Sequence, residues 1–244
     1  MQADITYIDH SGFFVELPDV TFLFDYYRGE IPAVQDKPLI VFVSHRHQDH
    51  YNPDIFELIK TYPEIYFVLA KGVPVKRQTE RYAAGGIDLA GHIISVKKNV
   101  TQPLTLQNGK SMEITTFRST DEGVAFLLNY AGKKIYHAGD LNRWVWEGES
   151  KQYNDNMRGA YLREMMKLDE TEIDVAFVPL DPRLEEHAFE GIEVFLEHAK
   201  AEKLFPMHFW GDYKVISEFL KKHPELTERV RNINSTGQLF TEEI

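Results

Sequence analysis

Leu39-Ile40-Val41-Phe42-Val43 runs into Ser44-His45-Arg46-His47-Gln48-Asp49-His50, and this junction decides how the chain is read. Five apolar, largely β-branched residues in a row predict a buried strand. Directly after it come three imidazoles and a carboxylate in six residues, H-x-H-x-D-H. Polar side chains gathered where a buried strand ends, before the next helix, are where α/β proteins place their chemistry. Neutral histidine and ionised aspartate are natural ligands of zinc and similar divalent metals. In an extended segment His45 and His47 point the same way, because side chains repeat every two residues. They can therefore chelate one ion together. Asp49 and His50 lie past the turn and can reach a neighbouring second position. A single H-x-H is as readily a solvated turn; the full run predicts a metal site with two positions.

The run resembles the metallo-β-lactamase superfamily of metal-dependent hydrolases, and the likeness extends along the chain. Lys134-Ile135-Tyr136-His137-Ala138-Gly139-Asp140 looks like the family's strand ending in a bridging aspartate, Asp140. Leu204-Phe205-Pro206-Met207-His208-Phe209 looks like its last strand, with His208 as ligand. Ile5 to Asp25 reads as three short strands with a turn at Ser11-Gly12, much as in the ascorbate-6-phosphate lactonase-like branch. The resemblance implies a four-layer αββα sandwich in one domain spanning residues 1–244. It also implies a first position held by His45, His47 and Asp140, and a second by Asp49, His50, Asp140 and His208. Asp49 is then the catalytic carboxylate that orients the attacking water.

One position departs from the family. Its third histidine is expected in Thr116-Phe117-Arg118-Ser119-Thr120-Asp121-Glu122-Gly123, and Arg118 stands there. A guanidinium stays protonated and has no lone pair for a metal. Three arrangements follow. One ion sits in the second position; or two bind, with Asp121, Glu122 or water completing the first; or Arg118 grips an anionic group of the substrate through its fork of donors. An ordinary ion pair from Arg118 to Asp121 or Glu122 is the plain alternative.

Composition bounds the rest. The chain has 244 residues, 43% hydrophobic and 27% charged, as in ordinary globular proteins. No apolar run approaches the ~20 residues that span a bilayer, and the start, Met1-Gln2-Ala3-Asp4, shows no secretory pattern. Cysteine is absent, which excludes disulfides and thiolate ligands and suits a cytoplasmic protein. The net charge of −11 disfavours broad binding to nucleic acid or anionic membranes. Lys71, Lys76, Arg77 and Arg81 are read as a solvated face.

Periodicity predicts a helix near Pro53 to Thr61 capped by Asn52 or Asp54, and a secure hairpin at Ala131-Gly132. It predicts further helices over Tyr153–Glu170, Phe189–Ala199 and from Val215 to before Pro224, and a strand at Ile173–Val178. Around the ligands, His137 is read as a structural histidine and His187 as a surface-loop residue. Trp144 and Trp146 are candidate pocket walls. Asp25, Trp210 and Asp212 are candidate braces of ligating histidines. A divalent ion acidifies water from about 16 towards about 7 and polarises a carbonyl or phosphoryl oxygen. The expected activity is hydrolysis of a small-molecule ester, lactone, amide or phosphoester, with zinc, manganese or iron as one or two ions per chain. A nuclease or phosphodiesterase, and a non-catalytic metal-binding protein, are the alternatives.

Overall fold

The computed structural model describes residues 1–34 and 36–244, with thirteen strands in two mixed sheets among the described residues. The chain divides into two compact units. The first holds residues 1–97, 105–110 and 236–244, and the second 98–104 and 111–235.

The first unit begins with β1 (Gln2–Asp9), β2 (Gly12–Glu16) and β3 (Thr21–Phe24), joined antiparallel. The β1–β2 connection is His10-Ser11 and not Ser11-Gly12. His10 takes a left-handed backbone (φ 55°), so the chain reverses one residue early and Gly12 already pairs with Asp9. From β3 the sheet turns parallel: β4 (Leu39–Val43), β5 (Ile65–Ala70) and β6 (Ile93–Val96) are each added in parallel. All five residues of β4 are buried, as a strand covered on both faces requires. Each such side chain contributes about 1.5–3 kcal/mol on burial. Phe24 and Phe42, opposite one another in β3 and β4, stack with centroids 4.9 Å apart. The segment Pro53–Lys60 is a 3₁₀ helix, with Pro53 in its first turn and Asn52 Oδ1 accepting from the Asp54 N–H at 2.9 Å. The helix α1 (Lys76–Ala84) precedes β6. Its basic side chains are answered locally, Lys76 by Glu80 and Arg81 by Glu57, as a solvated face would be.

The second unit's sheet runs β12-β11-β10-β9-β8-β7. Its strands are β7 (Thr101–Thr105), β8 (Ser111–Arg118), β9 (Val124–Tyr130), β10 (Lys133–His137), β11 (Glu172–Pro179) and β12 (Lys200–Met207). The β9–β10 hairpin closes on Ala131 (φ 51°) and Gly132 (φ 79°), the two left-handed residues of a two-residue hairpin turn. β10, β11 and β12 are parallel. Three helices belong to this unit. α2 (Lys151–Met165) is capped by Ser150 and buries Tyr161 and Met165; α3 is Glu190–His198 and α4 Lys214–Lys222. Tyr161 donates to the Gly191 carbonyl at 2.9 Å, tying α2 to α3, and Tyr136 of β10 stacks on Phe195 of α3 at 5.2 Å.

β12 is not the last strand of the chain. A further strand, β13 (Leu239–Glu243), returns to the first unit and pairs antiparallel with β1, Ile5 opposite Phe240. No helix among the described residues is long and apolar enough to cross a membrane.

Candidate metal centre

In each unit the polar residues collect at the carboxyl ends of parallel strands, where diverging loops leave a crevice. In the first unit Asp25 follows β3 and Ser44 to His50 follow β4, held side by side by the strand register and by the Asp25 N–H donating to Phe42 at 2.9 Å. In the second, Asp140 follows β10, Asp181 follows β11 and His208 follows β12. Their strand ends are tied by Ala138 N–H to Phe177 at 3.0 Å and Leu180 N–H to Met207 at 2.8 Å.

The first cluster is organised around Asp25, which is fully buried. Its Oδ1 accepts from the Ser44 N–H at 2.7 Å. Its Oδ2 accepts from Ser44 Oγ at 2.5 Å and from His50 Nδ1 at 2.7 Å. Because the Ser44 hydroxyl proton goes to Asp25, the 2.9 Å contact between Ser44 Oγ and His45 Nδ1 is a bond donated by the imidazole. Both His45 and His50 are thereby fixed as the tautomer that keeps Nε2 free of hydrogen, the form a metal needs. Asp25 thus acts as the brace anticipated for it. Its two oxygens, occupied by three donors, leave it poorly placed to serve as a ligand itself, although it lies close to His45 and His50. His47 is exposed and its Nδ1 lies 3.0 Å from His45 Nε2.

Asp49 completes this cluster. Its Oδ2 stands 3.9 Å from His50 Nε2 and 3.3 Å from Nε2 of His10, in the β1–β2 turn. Burial works to raise the Asp49 carboxyl, but the His10 and His50 imidazoles outweigh it and hold it well below the usual carboxylate range. It is ionised, as a ligand must be.

The second cluster repeats the design with a brace that the sequence did not reveal. His208 Nδ1 donates to Asp181 Oδ2 at 2.9 Å, and its Nε2 lies 3.3 Å from Asp140 Oδ1. Asp181 is buried and gripped by Arg183 through Nε at 3.0 Å and Nη2 at 2.6 Å. Burial pushes its carboxyl up, yet the bonds from His208 and Arg183 bring it down to about 2. A carboxylate directly before Pro182, ending a strand parallel to the His208 strand, was the available signal. Trp144 donates its indole N–H to the Asp140 carbonyl at 2.9 Å and sets its ring 5.3 Å from His208; Trp146 stacks on Trp144 at 6.3 Å. Trp210 stands edge-on to His208 at 5.7 Å, and the Arg183 guanidinium lies 4.7 Å over its ring. Asp212 instead accepts from the Lys214 N–H two residues on, at 3.2 Å, and does not brace His208.

Arg118 ends β8 with its side chain exposed, while its N–H donates to Glu164 at 3.2 Å. Within that loop it is Thr120 that reaches the Asp140 turn, bonding to Asn142. His137 is buried and accepts at Nδ1 from the Gly139 N–H, a structural role. His187 is held by Glu190 at 2.7 Å.

The donor set suits a divalent ion. Two ligands about 2.0–2.1 Å from a tetrahedral ion lie about 3.3 Å from each other. One Nε2-to-carboxylate spacing in each cluster, 3.3 Å, meets that figure, while His50 Nε2 stands 3.9 Å from Asp49. Three imidazoles carry a fixed Nδ1 bond, as metal-ligating histidines do.

Comparison with known proteins gives the same picture. The family model described as a β-lactamase superfamily domain matches residues 4–155. A UPF0173 metal-dependent hydrolase of Opitutus terrae is 27% identical over 222 residues, 86% of either chain. Among solved structures, Igni18, a metallo hydrolase of the archaeon Ignicoccus hospitalis, is 19% identical with a TM-score of 0.62, and all of both chains is covered. CmlA, a diiron β-hydroxylase of Streptomyces venezuelae, is 12% identical with a TM-score of 0.59, covering 99% of this chain and 54% of its own.

Proposed function

The chain belongs to the β-lactamase superfamily and is a metal-dependent hydrolase, and we propose that it acts on a small-molecule ester, lactone, amide or phosphoester. In the first unit His45, His47, Asp49 and His50 would hold metal, and in the second unit Asp140 and His208 would do so. The observation that carries this reading is the braced tautomer state of His45, His50 and His208, each with Nδ1–H committed to a serine or carboxylate oxygen, so that the lone pair is on Nε2. A divalent ion, when bound, supplies Lewis acidity to a carbonyl or phosphoryl oxygen and acidifies water.

The protein's own groups do the rest. Asp49, ionised and one-fifth exposed, holds a metal ion with one oxygen and orients the attacking water with the other. Asp181 and Asp25 keep their imidazoles from turning. Trp144 and Trp146 form an apolar wall beside His208 against which the body of a small substrate packs. Arg118, exposed at the end of β8, receives an anionic substituent of the substrate. The acidic total charge favours a small substrate over a polyanion. Zinc suits the imidazole-rich set, and manganese or iron suits it too.

The test is metal per chain by elemental analysis of protein purified without added metal, alongside His50→Ala and His208→Ala. Turnover of nitrophenyl esters, lactones and bis-nitrophenyl phosphate is followed in parallel. One or two ions per chain, fewer in both variants, with hydrolysis of one substrate class abolished by chelation, is expected. No metal in fresh protein, and none taken up from zinc, manganese or iron, would remove the reading.

A further inference from the structure

We propose that His10 is itself a metal ligand, a donor beside Asp49 and His50 in the first unit. This inference rests on the metal-centre reading above and adds a residue to it from the β1–β2 turn.

The backbone is shaped to deliver this side chain. His10 sits in the two-residue β1–β2 turn at φ 55°, a conformation costing about 1–2 kcal/mol for a residue with a Cβ and one that turns usually give to glycine or asparagine. Its N–H donates to Tyr7 Oη at 2.9 Å, which fixes the turn. The imidazole is 3% exposed and meets His50 edge-on with centroids 5.3 Å apart. Donor atoms of His10, Asp49 and His50 all lie within 4.8 Å of one another.

Distance separates a ligand from a brace. The two imidazole–carboxylate braces here, His50–Asp25 and His208–Asp181, are 2.7 and 2.9 Å long. Those are the lengths of charge-assisted hydrogen bonds. His10 Nε2 stands 3.3 Å from Asp49 Oδ2, the same as His208 Nε2 from Asp140 Oδ1. That is the edge of a tetrahedron around one ion, about 3.3 Å, and longer than the braces. The nitrogen facing Asp49 is also Nε2, the same atom that His50 and His208 present. With His10, the first unit alone supplies three donors.

The experiment uses the full chain labelled with ¹⁵N-histidine and loaded with ¹¹³Cd, a spin-active substitute for zinc. Scalar coupling between the ion and an imidazole nitrogen appears only where the two are bonded. The variant is His10→Asn: asparagine tolerates the left-handed backbone and its amide is too short to replace Nε2. Zinc affinity is measured by competition with a chelator, and circular dichroism confirms folding. Coupling at His10 Nε2, absent in His10→Asn, with zinc affinity falling by more than the ~100-fold that loss of a mere brace costs, is the expected result. Coupling at His50 without coupling at His10 would overturn the inference and leave the metal centre standing. Uptake of neither cadmium nor zinc by the wild-type chain would overturn both. Should His10→Asn not fold, the labelled wild-type spectrum alone decides between these outcomes.

Discussion

Asp25→Asn is a near-isosteric change with a consequence that can be worked out bond by bond. Three donors converge on the two carboxylate oxygens: the Ser44 N–H on Oδ1, and the Ser44 hydroxyl and His50 Nδ1–H on Oδ2. Asparagine offers one acceptor oxygen and one NH₂. With the amide oxygen at the Oδ2 position, NH₂ faces the Ser44 N–H across 2.7 Å. A buried donor is then orphaned at about 1–3 kcal/mol, and the charge assistance of the other bonds is lost, for a total of about 2–4 kcal/mol. With the oxygen at Oδ1, NH₂ faces Ser44 Oγ and His50 Nδ1 instead. His50 must then carry its proton on Nε2. The Ser44 hydroxyl, now an acceptor from the amide, turns its proton towards His45 Nδ1 and flips that imidazole as well. Both histidines lose the lone pair that binds metal, and affinity falls by at least about 10–100-fold. The assay is urea denaturation of metal-free protein together with competitive zinc titration. A variant that unfolds within about 0.5 kcal/mol of wild type and binds zinc within about threefold would refute the tautomer argument.

Three further changes lie outside the site. Ala131→Asn places a residue tolerant of left-handed backbone in the β9–β10 turn, where Ala131 has φ 51°. It should raise stability by about 0.5–1 kcal/mol, read as a higher urea midpoint at unchanged slope; an unchanged midpoint counts against the turn assignment. Gly191→Ala puts a Cβ 1.8 Å from Oδ1 of the buried Asn142. A loss of about 1–3 kcal/mol is expected, a fall of some ~2–10 °C in melting temperature, whereas an unshifted melting curve would show that Asn142 moves freely. Glu193, in α3, has its carboxyl raised by burial and lowered further by Lys222 and His223, ending below its ordinary 4.5. A depressed carboxyl contributes stability that is present above 4.5 and lost as pH falls through the lower folded value. Glu193→Gln should therefore flatten the stability profile on the acid side of pH 4.5, and an identical acid limb would dismiss the pairing.

What the sequence made legible is what local patterns encode. The apolar run of β4 and the H-x-H-x-D-H that follows need only a few consecutive residues to be read. The Ala131-Gly132 hairpin and the helical period that starts near Tyr153 are local too. Asp140 and His208 emerged from resemblance, each directly beyond a strand. Less legible were partners brought together by strand register. The braces Asp25–His50 and Asp181–His208 join residues 25 and 27 apart. Asp25 could be nominated because it ends an apolar strand, while Asp181 was hidden within a loop of mixed charge. His10 escaped because an adjacent glycine drew the turn one residue too far. β13 escaped because Leu239–Glu243 lacks an apolar alternation; its Leu239 is 59% exposed, and only its pairing with β1 makes it a strand.

The backbone around the donors carries a cost that bears on how this protein changes under selection. His10, Asp25, His208 and Trp210 all lie at positive φ, between 39° and 64°. Each is held there at about 1–3 kcal/mol by its surroundings. Glycine at any of the four would relieve that cost while deleting a functional side chain. Libraries screened for heat resistance alone should thus accumulate glycine at these positions and yield robust, inert proteins. Residues whose replacement by glycine is milder than replacement by alanine would then mark the positions where folding and chemistry pull in opposite directions.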